Sequence, residues 1–321
     1  MSSILTNASA LSALQSLTQT QSALQTTESQ VSTGLAVSTA ADNASYWSIA
    51  AQLNSDSGVV TASNQALSQS QAVLSTASSA IESVTSTIAQ IETALTQASN
   101  PGADLGAIET TLNGLGTQLL SIVNGASFNG LNVLNNSTLT TGGTTGTLAF
   151  VSGFNATATG GSVNTITLTT QALINGGTVG TDTTPGTTGT GILDGGTTGG
   201  VDLLNLGNTI AAAYATPTTG DSAATSAAAA ANTALGEVST VLNAVTTYAA
   251  TIGATQDAMT AASTFNSALT TDYATGVSAL VDADMNTAST RLQALQTQEQ
   301  LGIQSLSIAN QNSQLILKLF S

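Results

Sequence analysis

Apolar residues recur at alternating spacings of three and four along much of this 321-residue chain. In the clearest run the apolar positions are Leu67, Leu74, Ala77, Ile81, Val84, Ile88, Ile91, Leu95 and Ala98, and the spacing breaks only at Ser70. A stripe sustained over this length is typical of a long helix that packs lengthwise against other helices. The pattern therefore predicts a mainly α fold built from long coiled-coil-like helices.

Two further elements follow this run. Pro101 and Gly102 in the segment SNPGAD predict a turn, and Asp104 can cap the next helix. That helix repeats the spacing at Leu105, Ile108, Leu112, Leu115, Leu119, Ile122 and Ala126. The Asn-Gly pair at 129–130 then predicts a β-hairpin.

The helical spacing returns at about residue 221. One helix is marked by Leu235, Val238, Leu242, Val245, Ala249, Ile252 and Met259, and a later one by Leu292, Leu295, Leu306, Ala309, Ile316 and Phe320. Two helical blocks therefore flank an insert, and the stripes of the first block need partners that the last block can supply. We expect the chain to fold back on itself, with both termini at the same end.

The insert, roughly residues 136–220, is rich in Thr and Gly. Short alternating runs such as NTITLTT at 164–170 favour a small β domain over a flexible linker. Because the insert carries no heptads, we expect it to lie outside the helical rod. Its threonines could carry O-linked sugars, or they could serve β propensity and solubility alone; the residues leave both interpretations open.

Charge is scarce and almost all negative. Lys and Arg total 2 against 17 Asp and Glu, which gives a net charge of −15, and only 6% of residues are charged. Nucleic-acid binding is excluded because nothing is available to neutralise phosphates. Anionic membrane surfaces are disfavoured for the same reason, and no run of 18 apolar residues predicts a membrane span.

The chemistry of an enzyme is missing as well. The chain has no Cys and no His, so it can form no disulfide, no thiolate site and no His-activated nucleophile. The carboxylates of Asp282 and Asp284 are expected to cap a helix or to face solvent. We therefore expect no catalytic residue, no metal site and no cofactor.

Asp42 is expected to be the N-cap of the helix that follows it. Tyr46 and Trp47 are expected to make rod or subunit contacts rather than to form a ligand cage.

Six motifs lie in a fixed order at the two ends of the chain. They are ILTNASALSALQ near the N-terminus, VSTGLAVSTAADNASYWSIA at 31–50, ASFNGLNVLN at 126–135, TIGATQDAM at 251–259, ALVDADMNTAST at 279–290 and TQEQLGIQSLSIANQNSQLILKLF at 297–320. Together they resemble bacterial flagellin, in the branch whose N-terminal signature ends in YWSIA. The resemblance covers about 1–135 and 230–321. The chain departs from many members at Ala36, Ala41 and Tyr248, where Arg, Lys and Arg respectively are common.

The resemblance implies an architecture of three parts. Residues 1–35 with 285–321 would form a terminal coiled coil at the centre of a filament. Residues 36–135 with 230–284 would form a helical rod with a hairpin, and 136–229 a variable outer domain. Removing most of that outer domain is then expected to spare assembly.

The resemblance also implies a function and partners. The chain would be exported without a cleaved signal peptide and would polymerise into the extracellular filament used for swimming. Its partners would be other copies of itself, the flagellar export machinery with an export chaperone, and the hook-associated and cap proteins. The alternatives are a hook–filament junction protein and a filament protein with an additional adhesin role.

The subunit contacts implied by the resemblance are apolar side chains of the terminal helices. They are Ile4, Leu11, Leu14, Leu17, Leu24, Val31, Leu292, Leu295, Leu306, Ile308, Ile316 and Phe320. Chain ends are usually polar and frayed, so apolar stripes there need a partner to cover them. In a filament that partner is a neighbouring subunit.

Overall fold

A computed structural model describes residues 7–135, 145–157, 160–174, 191–195, 202–217 and 222–319. Its elements, in chain order, are α1 (Ala8–Thr33), α2 (Ala44–Ala98), α3 (Leu105–Gly125), β1 (Ser127–Phe128), β2 (Leu131–Asn132), β3 (Thr145–Thr157), β4 (Gly160–Gln171), α4 (Leu206–Ala215), α5 (Ala223–Val281) and α6 (Met285–Leu319). The chain divides into two compact units. We call Met1–Gly58 with Leu269–Ser321 the terminal unit and Val59–Ala268 the central unit.

In the terminal unit, α1 and α6 pack side by side and run antiparallel. The side-chain amide of Asn7 donates to the carbonyl oxygen of Ala309 at 3.0 Å. About four turns further along α1, the side-chain amide of Gln21 donates to the carboxylate of Glu299 at 3.3 Å. The first helix therefore pairs with the last, which confirms the predicted fold-back of the chain.

Local signals set the ends of the helices, and the predicted cap at Asp104 and the predicted hairpin are confirmed. Asn7 caps α1 by accepting from the amide of Ala10, and Gly34 ends that helix with φ of 74°. Asp104 caps α3 by accepting from the amide of Ala107 at 3.2 Å. The predicted hairpin is β1–β2, whose two turn residues, Asn129 and Gly130, have φ of 51° and 80°. Positive φ at both positions is what the tightest hairpin turns require.

The stripes of α2, α3 and α5 meet in the core of the central unit. The largest fully buried side chains are Leu67, Leu74, Ile88, Ile91, Leu95, Leu112, Leu119, Leu134, Leu168, Leu173, Leu193 and Leu203. Several predicted stripe positions are only half-buried, and a neighbour fills the core instead: Val123 beside Ile122, and Val241 beside Leu242. A core shared by more than two elements needs a wider apolar stripe than the seam of a two-helix coiled coil.

Tyr248 also belongs to this core, although Arg is common in the family at that position. Its side chain is 2% exposed, and its hydroxyl donates to the carbonyl oxygen of Val133 at 3.1 Å. Burial raises the pKa of Tyr248 to about 12. The residue therefore joins α5 to the segment after the β1–β2 hairpin as a neutral side chain.

The insert contains the predicted β structure in the residues that the structure describes. Strands β3 and β4 pair antiparallel, with an irregularity between Val151 and Gly153. Phe150 and Leu168 are buried on the inner face of this hairpin, and Asn266 of α5 donates to the carbonyl oxygen of Ser152 at 2.9 Å. The hairpin thus packs against the helices of the central unit. The short helix α4 was not predicted, because its ten residues are too few to show a helical period.

Short segments of the insert that lie outside β3, β4 and α4 complete the same core. The amide of Leu173 donates to Leu134, that of Leu193 to Leu173, and that of Leu203 to Leu193, at 2.8, 2.7 and 2.9 Å. The side chains of these four leucines are fully buried. The described part of the insert is therefore built into the core of the central unit. The assignment of the insert to an outer domain stays a prediction, and these buried leucines suggest that removing the insert would destabilise the central unit.

Candidate subunit interface

The described part of the chain offers no candidate metal site. Among those residues no group of three or more His, Cys, Asp or Glu side chains could hold a metal ion. Within the same ranges no helix is long and apolar enough to cross a membrane. The remaining candidates for function are exposed apolar surfaces, and the largest side chains of this kind in the terminal unit lie on α1, α2 and α6.

On α1 the apolar surface faces away from α6. Leu11 and Leu14 are 61% and 51% exposed, and their spacing of three places them side by side. They belong to a shallow groove along the outer side of the helix, which is lined by Ala8, Leu11, Ser12, Leu14, Gln15, Thr18 and Gln19. No charged residue lines this groove, so it offers a neutral, mostly apolar surface.

Within the described residues of α6, three large apolar side chains are more than half exposed. Leu301, Ile303 and Ile308 are 58%, 53% and 65% exposed. Leu301 and Ile308 are seven residues apart, which is two helical turns, so they share one side of the helix. Of these three residues, only Ile308 was among the contact residues predicted from the sequence. The seven-residue spacing between Leu301 and Ile308 is the sequence signal from which Leu301 could also have been predicted.

The other predicted contact residues occupy different positions. Leu17, Leu24, Val31, Leu292 and Leu306 are half-buried, and Leu295 is buried. Leu17 lies against Gly302 of the paired helix, where a Cβ atom would come within 3.2 Å of its methyl carbon. Ile4, Phe320 and the side chain of Ile316 lie outside the described residues. The assignment of these twelve residues to subunit contacts stays a prediction.

The segment between α1 and α2 is tied to the segment between α5 and α6. The amides of Ala36 and Val37 donate to the carbonyl oxygen of Val281 at 2.7 and 3.2 Å. The amide of Ala283 donates to the carbonyl oxygen of Gly34 at 2.8 Å. We call residues 34–43 with 281–284 the platform. These backbone bonds give it a defined shape where the two helices of the pair end.

The prediction that Asp42 caps α2 is wrong. Its carboxylate turns back into the platform and accepts from the amides and hydroxyls of Ser38 and Thr39, at 2.9–3.1 Å. The bonds from Thr39 are the main cause that lowers the pKa of Asp42. Asn43 caps the helix instead, since its side-chain oxygen accepts from the amides of Ser45 and Tyr46 at 3.1 and 3.2 Å. Both residue types are good caps, and the loop decides between them.

The other two carboxylates of the platform have the structural roles expected for them. Asp284 caps α6 by accepting from the amides of Asn286 and Thr287. The hydroxyl of Thr287, which donates to the same carboxylate, is the main cause that lowers the pKa of Asp284. The hydroxyl of Ser278 donates to Asp282. The bonds to Asp284 confirm for this residue the helix-cap role, which was one of the two roles expected for the pair.

The first two turns of α2 carry three further exposed apolar side chains. Tyr46, Trp47 and Ile49 are 46%, 43% and 45% exposed. Tyr46 and Ile49, three residues apart, lie side by side, whereas Trp47 projects to another side of the helix. Just beyond them Ala50 is 5% exposed and packs with Val37 and Val281. One side of α2 is therefore packed at Ala50 against Val37 and Val281, while the large apolar side chains beside it remain exposed.

Comparison with known families accounts for both ends of the chain. Residues 4–138 match the family model described as "Bacterial flagellin N-terminal helical region". Residues 235–320 match the one described as "Bacterial flagellin C-terminal helical region". The first match includes α1, α2 and α3, and the second includes most of α5 and all of α6.

Comparison with individual proteins extends over the whole chain. It is 37% identical to the "Flagellin" of Brucella melitensis over 321 residues, covering 100% of this chain and 99% of the other. It is 38% identical to "Flagellin C" of Rhizobium meliloti over 330 residues, again covering 100% and 99%. "Flagellin FljM" of Caulobacter vibrioides is 29% identical with the same coverage. The helical ends and the full-length similarity agree, and the chain belongs to the bacterial flagellin family.

Proposed function

We propose that the chain assembles into its filament through the outer apolar sides of α1 and α6. As a flagellin it is a structural subunit of the extracellular bacterial flagellar filament and not an enzyme. Five large apolar side chains, Leu11, Leu14, Leu301, Ile303 and Ile308, are each more than half exposed in the terminal unit. This exposure, on helices that belong to a self-assembling family, is the observation that carries the proposal.

The energetics favour burial of these side chains by another copy. Full burial of a Leu or Ile side chain contributes about 1.5–3 kcal/mol, so a few such contacts per subunit can offset the loss of freedom on association. Charge opposes assembly, since each copy has a net charge of −15. The two cations of the chain, Arg291 and Lys318, allow few ion pairs between copies. Apolar contacts therefore have to supply the attraction.

The proposal keeps the predicted organisation with one change. Residues 1–35 with 285–321 are assigned to the inner coiled coil of the filament, 36–135 with 230–284 to the rod, and 136–229 to a variable outer part. The change is that β3, β4 and α4 contribute to the core of the rod. The flagellar export machinery, an export chaperone, and the hook-associated and cap proteins are proposed as partners that handle the chain before and at the ends of assembly.

The test substitutes an apolar residue that the subunit does not bury. Ile308→Asn should leave the helices intact, because the side chain is 65% exposed in the single chain. If a neighbouring copy covers Ile308, the critical concentration for polymerisation should rise about tenfold or more. Sedimentation of filaments at a series of protein concentrations measures this value, and circular dichroism checks the helices.

Tyr214→Asn is the matched control. Tyr214 is also a large exposed side chain, at 48%, but it lies on α4 and so outside the terminal helix pair. It should polymerise like the unaltered chain. Equal critical concentrations for both variants would show that the outer side of α6 makes no subunit contact.

A further inference from the structure

The sequence contains four Asn-Gly pairs, at 113–114, 124–125, 129–130 and 175–176. This dipeptide is chemically labile, because without a Cβ atom on the Gly its backbone nitrogen can approach the side-chain amide of the preceding Asn. The dipeptide is the same at all four positions, so the fold decides which pairs react. The first three pairs belong to the described part of the chain and lie in different settings.

The reaction is an intramolecular substitution. The amide nitrogen of the Gly attacks Cγ of the Asn side chain, gives up its proton to water or hydroxide, and closes a succinimide ring while the bond from Cγ to the side-chain nitrogen breaks and ammonia leaves. Water then opens the ring at either carbonyl carbon, which yields Asp or its β-linked isomer isoaspartate. The reaction requires a Gly amide without a hydrogen bond and a backbone at the Asn that can rotate until the nitrogen meets Cγ.

Two of the pairs lie within α3 and meet neither requirement. In an α-helix the Gly amides of both pairs donate to carbonyl oxygens one turn earlier, and the backbone torsions are fixed. The side-chain amide of Asn113 also donates to Asn208 at 3.0 Å. The side-chain oxygen of Asn124 accepts from Asn135 at 2.7 Å. We therefore expect both pairs to be protected as long as α3 is folded.

The pair at 129–130 forms the whole turn between β1 and β2. Within the described part of the chain, neither the side chain of Asn129 nor the amide of Gly130 has a hydrogen-bond partner. Both residues are exposed, but so is Asn124, so backbone conformation and hydrogen bonding separate the pairs better than solvent access does. A turn with positive φ at both positions directs the Gly nitrogen away from the Asn side chain. Ring closure therefore requires this turn to open.

Opening the turn is a local event. β1 and β2 contain two residues each and form a two-stranded sheet of their own, and a hairpin of this size is only marginally stable. Phe128 is 36% exposed, whereas the end of β2 is held by Asn132, whose side chain donates to the carbonyl oxygen of Val123 at 2.7 Å. The tip can therefore open while the core stays folded. Reaction at Asn113 or Asn124 would instead require α3 to unwind, and one side of that helix is buried in the core.

We infer that Asn129 is a site of spontaneous deamidation in the folded chain, with water as the co-reactant, and that the pairs in α3 are protected from this reaction. Each conversion adds a carboxylate at the hairpin tip of a chain whose net charge is already −15. Conversion to isoaspartate also adds a methylene group to the backbone of a turn that consists of two residues. The hairpin tip therefore changes chemically as the molecule ages, without any enzyme or partner.

The test follows the three described pairs in the same full-length chain. The folded protein is incubated at mildly alkaline pH, where the Gly amide loses its proton more readily, and is then digested with pepsin at acid pH, where further conversion is slow. Mass spectrometry of the peptides gives the rate at each Asn. Asn129 should convert about tenfold or more faster than Asn113 and Asn124, because local opening costs less free energy than unwinding a core helix. In concentrated urea the three rates should become similar.

Two variants test whether opening of the hairpin is the route. Asn132→Ala removes the side chain that holds the end of β2, and conversion of Asn129 should become several-fold faster. Asn135→Ala is the matched control three residues later, because its side chain bonds to Asn124 of α3 and not to the hairpin, and it should leave the rate at Asn129 unchanged. Circular dichroism shows whether the helices of each variant are intact.

The rates in the unaltered chain decide the question even if a variant fails to fold. Conversion of Asn129 no faster than that of Asn113 and Asn124 in the folded protein would overturn the assignment. A folded Asn132→Ala variant that converts at the same rate as Asn135→Ala would contradict hairpin opening as the route. The reaction is intramolecular and is measured on the single chain, so either result would leave the proposed assembly into filaments untouched.

Discussion

Two buried carboxylates are the least expected residues of the central unit. Asp194 and Asp202 are 0% and 5% exposed and face each other across an isolated antiparallel bridge. The carboxylate of Asp202 accepts from the amide of Leu204 at 2.9 Å and from the side chain of Asn205 at 2.7 Å. No cation is available to them from residues 59–268, which contain neither Lys nor Arg. Amide groups donate to both carboxylates, since the backbone amide of Gly191 donates to Asp194.

This arrangement predicts an unusual pH dependence. Burial raises the pKa of Asp202 above its ordinary value of 3.8, and the nearby charge of Asp194 raises it further. Because the folded pKa lies above the unfolded one, protonation of Asp202 stabilises the fold below about pH 4, and this stability is lost as the pH rises through the folded pKa. Asp202→Asn should therefore raise the melting temperature of the central unit by a few degrees at pH 7, and by less at pH 3.5.

Calorimetry or a circular dichroism melt at a series of pH values measures the effect. Asp257→Asn is the control, because Asp257 is exposed on α5 of the same unit, and it should not reproduce the gain at pH 7. If Asp202→Asn changed stability equally at both pH values, the ionisation of Asp202 would not be the cause.

At the scale of the elements, the close approach of α3 to the insert depends on one glycine. A Cβ atom at Gly116 would meet the backbone carbonyl of Leu204, with its oxygen at 2.5 Å and its carbon at 3.0 Å. The residue is buried in α3. Backbone atoms cannot rotate away as a flexible side chain can, so any larger residue must push the segment 202–205 outward.

Gly116→Ala should therefore destabilise the central unit by about 1–3 kcal/mol through overpacking, although Ala is the better helix former. Gly114 is the matched control two residues earlier, because a Cβ atom there has nothing within 4 Å. Gly114→Ala should stabilise the same helix by about 0.5–1 kcal/mol. Urea unfolding of both variants measures the difference, and effects of the same sign would contradict the packing described here.

The exposed sides of the helices are polar mainly because of hydroxyl groups, since charged residues are few. Thr93 donates to the carbonyl oxygen of Ala89, Thr96 to that of Glu92 and Thr264 to that of Thr260, and the same bond to the residue four positions earlier recurs along every long helix. Each of these hydroxyls has its hydrogen-bond partner within its own helix, at the cost of a slight destabilisation and bending of that helix. The exposed sides are thus polar without adding charge to a chain that must pack beside identical copies.

At the scale of the whole molecule, the insert contributes to the stability of the central unit. Fully buried side chains that would be lost on deletion of residues 140–220 include Leu168, Leu173, Leu193 and Leu203. Each contributes about 1.5–3 kcal/mol by burial. We therefore expect this deletion to lower the melting temperature of the central unit sharply and to impair assembly, contrary to the expectation from the sequence alone.

Deletion of residues 305–321 is compared with the deletion of residues 140–220. It removes part of α6 in the terminal unit, so it should abolish polymerisation while the melting of the central unit stays nearly unchanged. Circular dichroism melts and sedimentation of the two truncated chains separate these outcomes. A normal melting temperature after removal of 140–220 would show that the insert is a passenger after all.

Much of the fold was determined by local sequence patterns. The three-and-four spacing of apolar residues predicted the long helices, Asp104 predicted the cap of α3, and Asn129–Gly130 predicted the hairpin, because each of these depends on residues that are neighbours in the chain. The absence of His and Cys and the scarcity of cations excluded whole classes of function without any structure. The terminal motifs indicated the family.

What only the tertiary structure decided depends on residues far apart in the sequence. The period of α1 and α6 shows that a stripe exists, but the pairing of the two helices decides that Leu17 turns inward while Leu11 and Ile308 stay exposed. The position of Asp42 or Asn43 as cap depends on how the loop folds, since both side chains can do it. Leu173, Leu193 and Leu203 lie in a Thr- and Gly-rich segment with no helical period. Their place in the core follows from hydrogen bonds between segments of the insert, because burial is a property of the packed molecule and not of the local pattern.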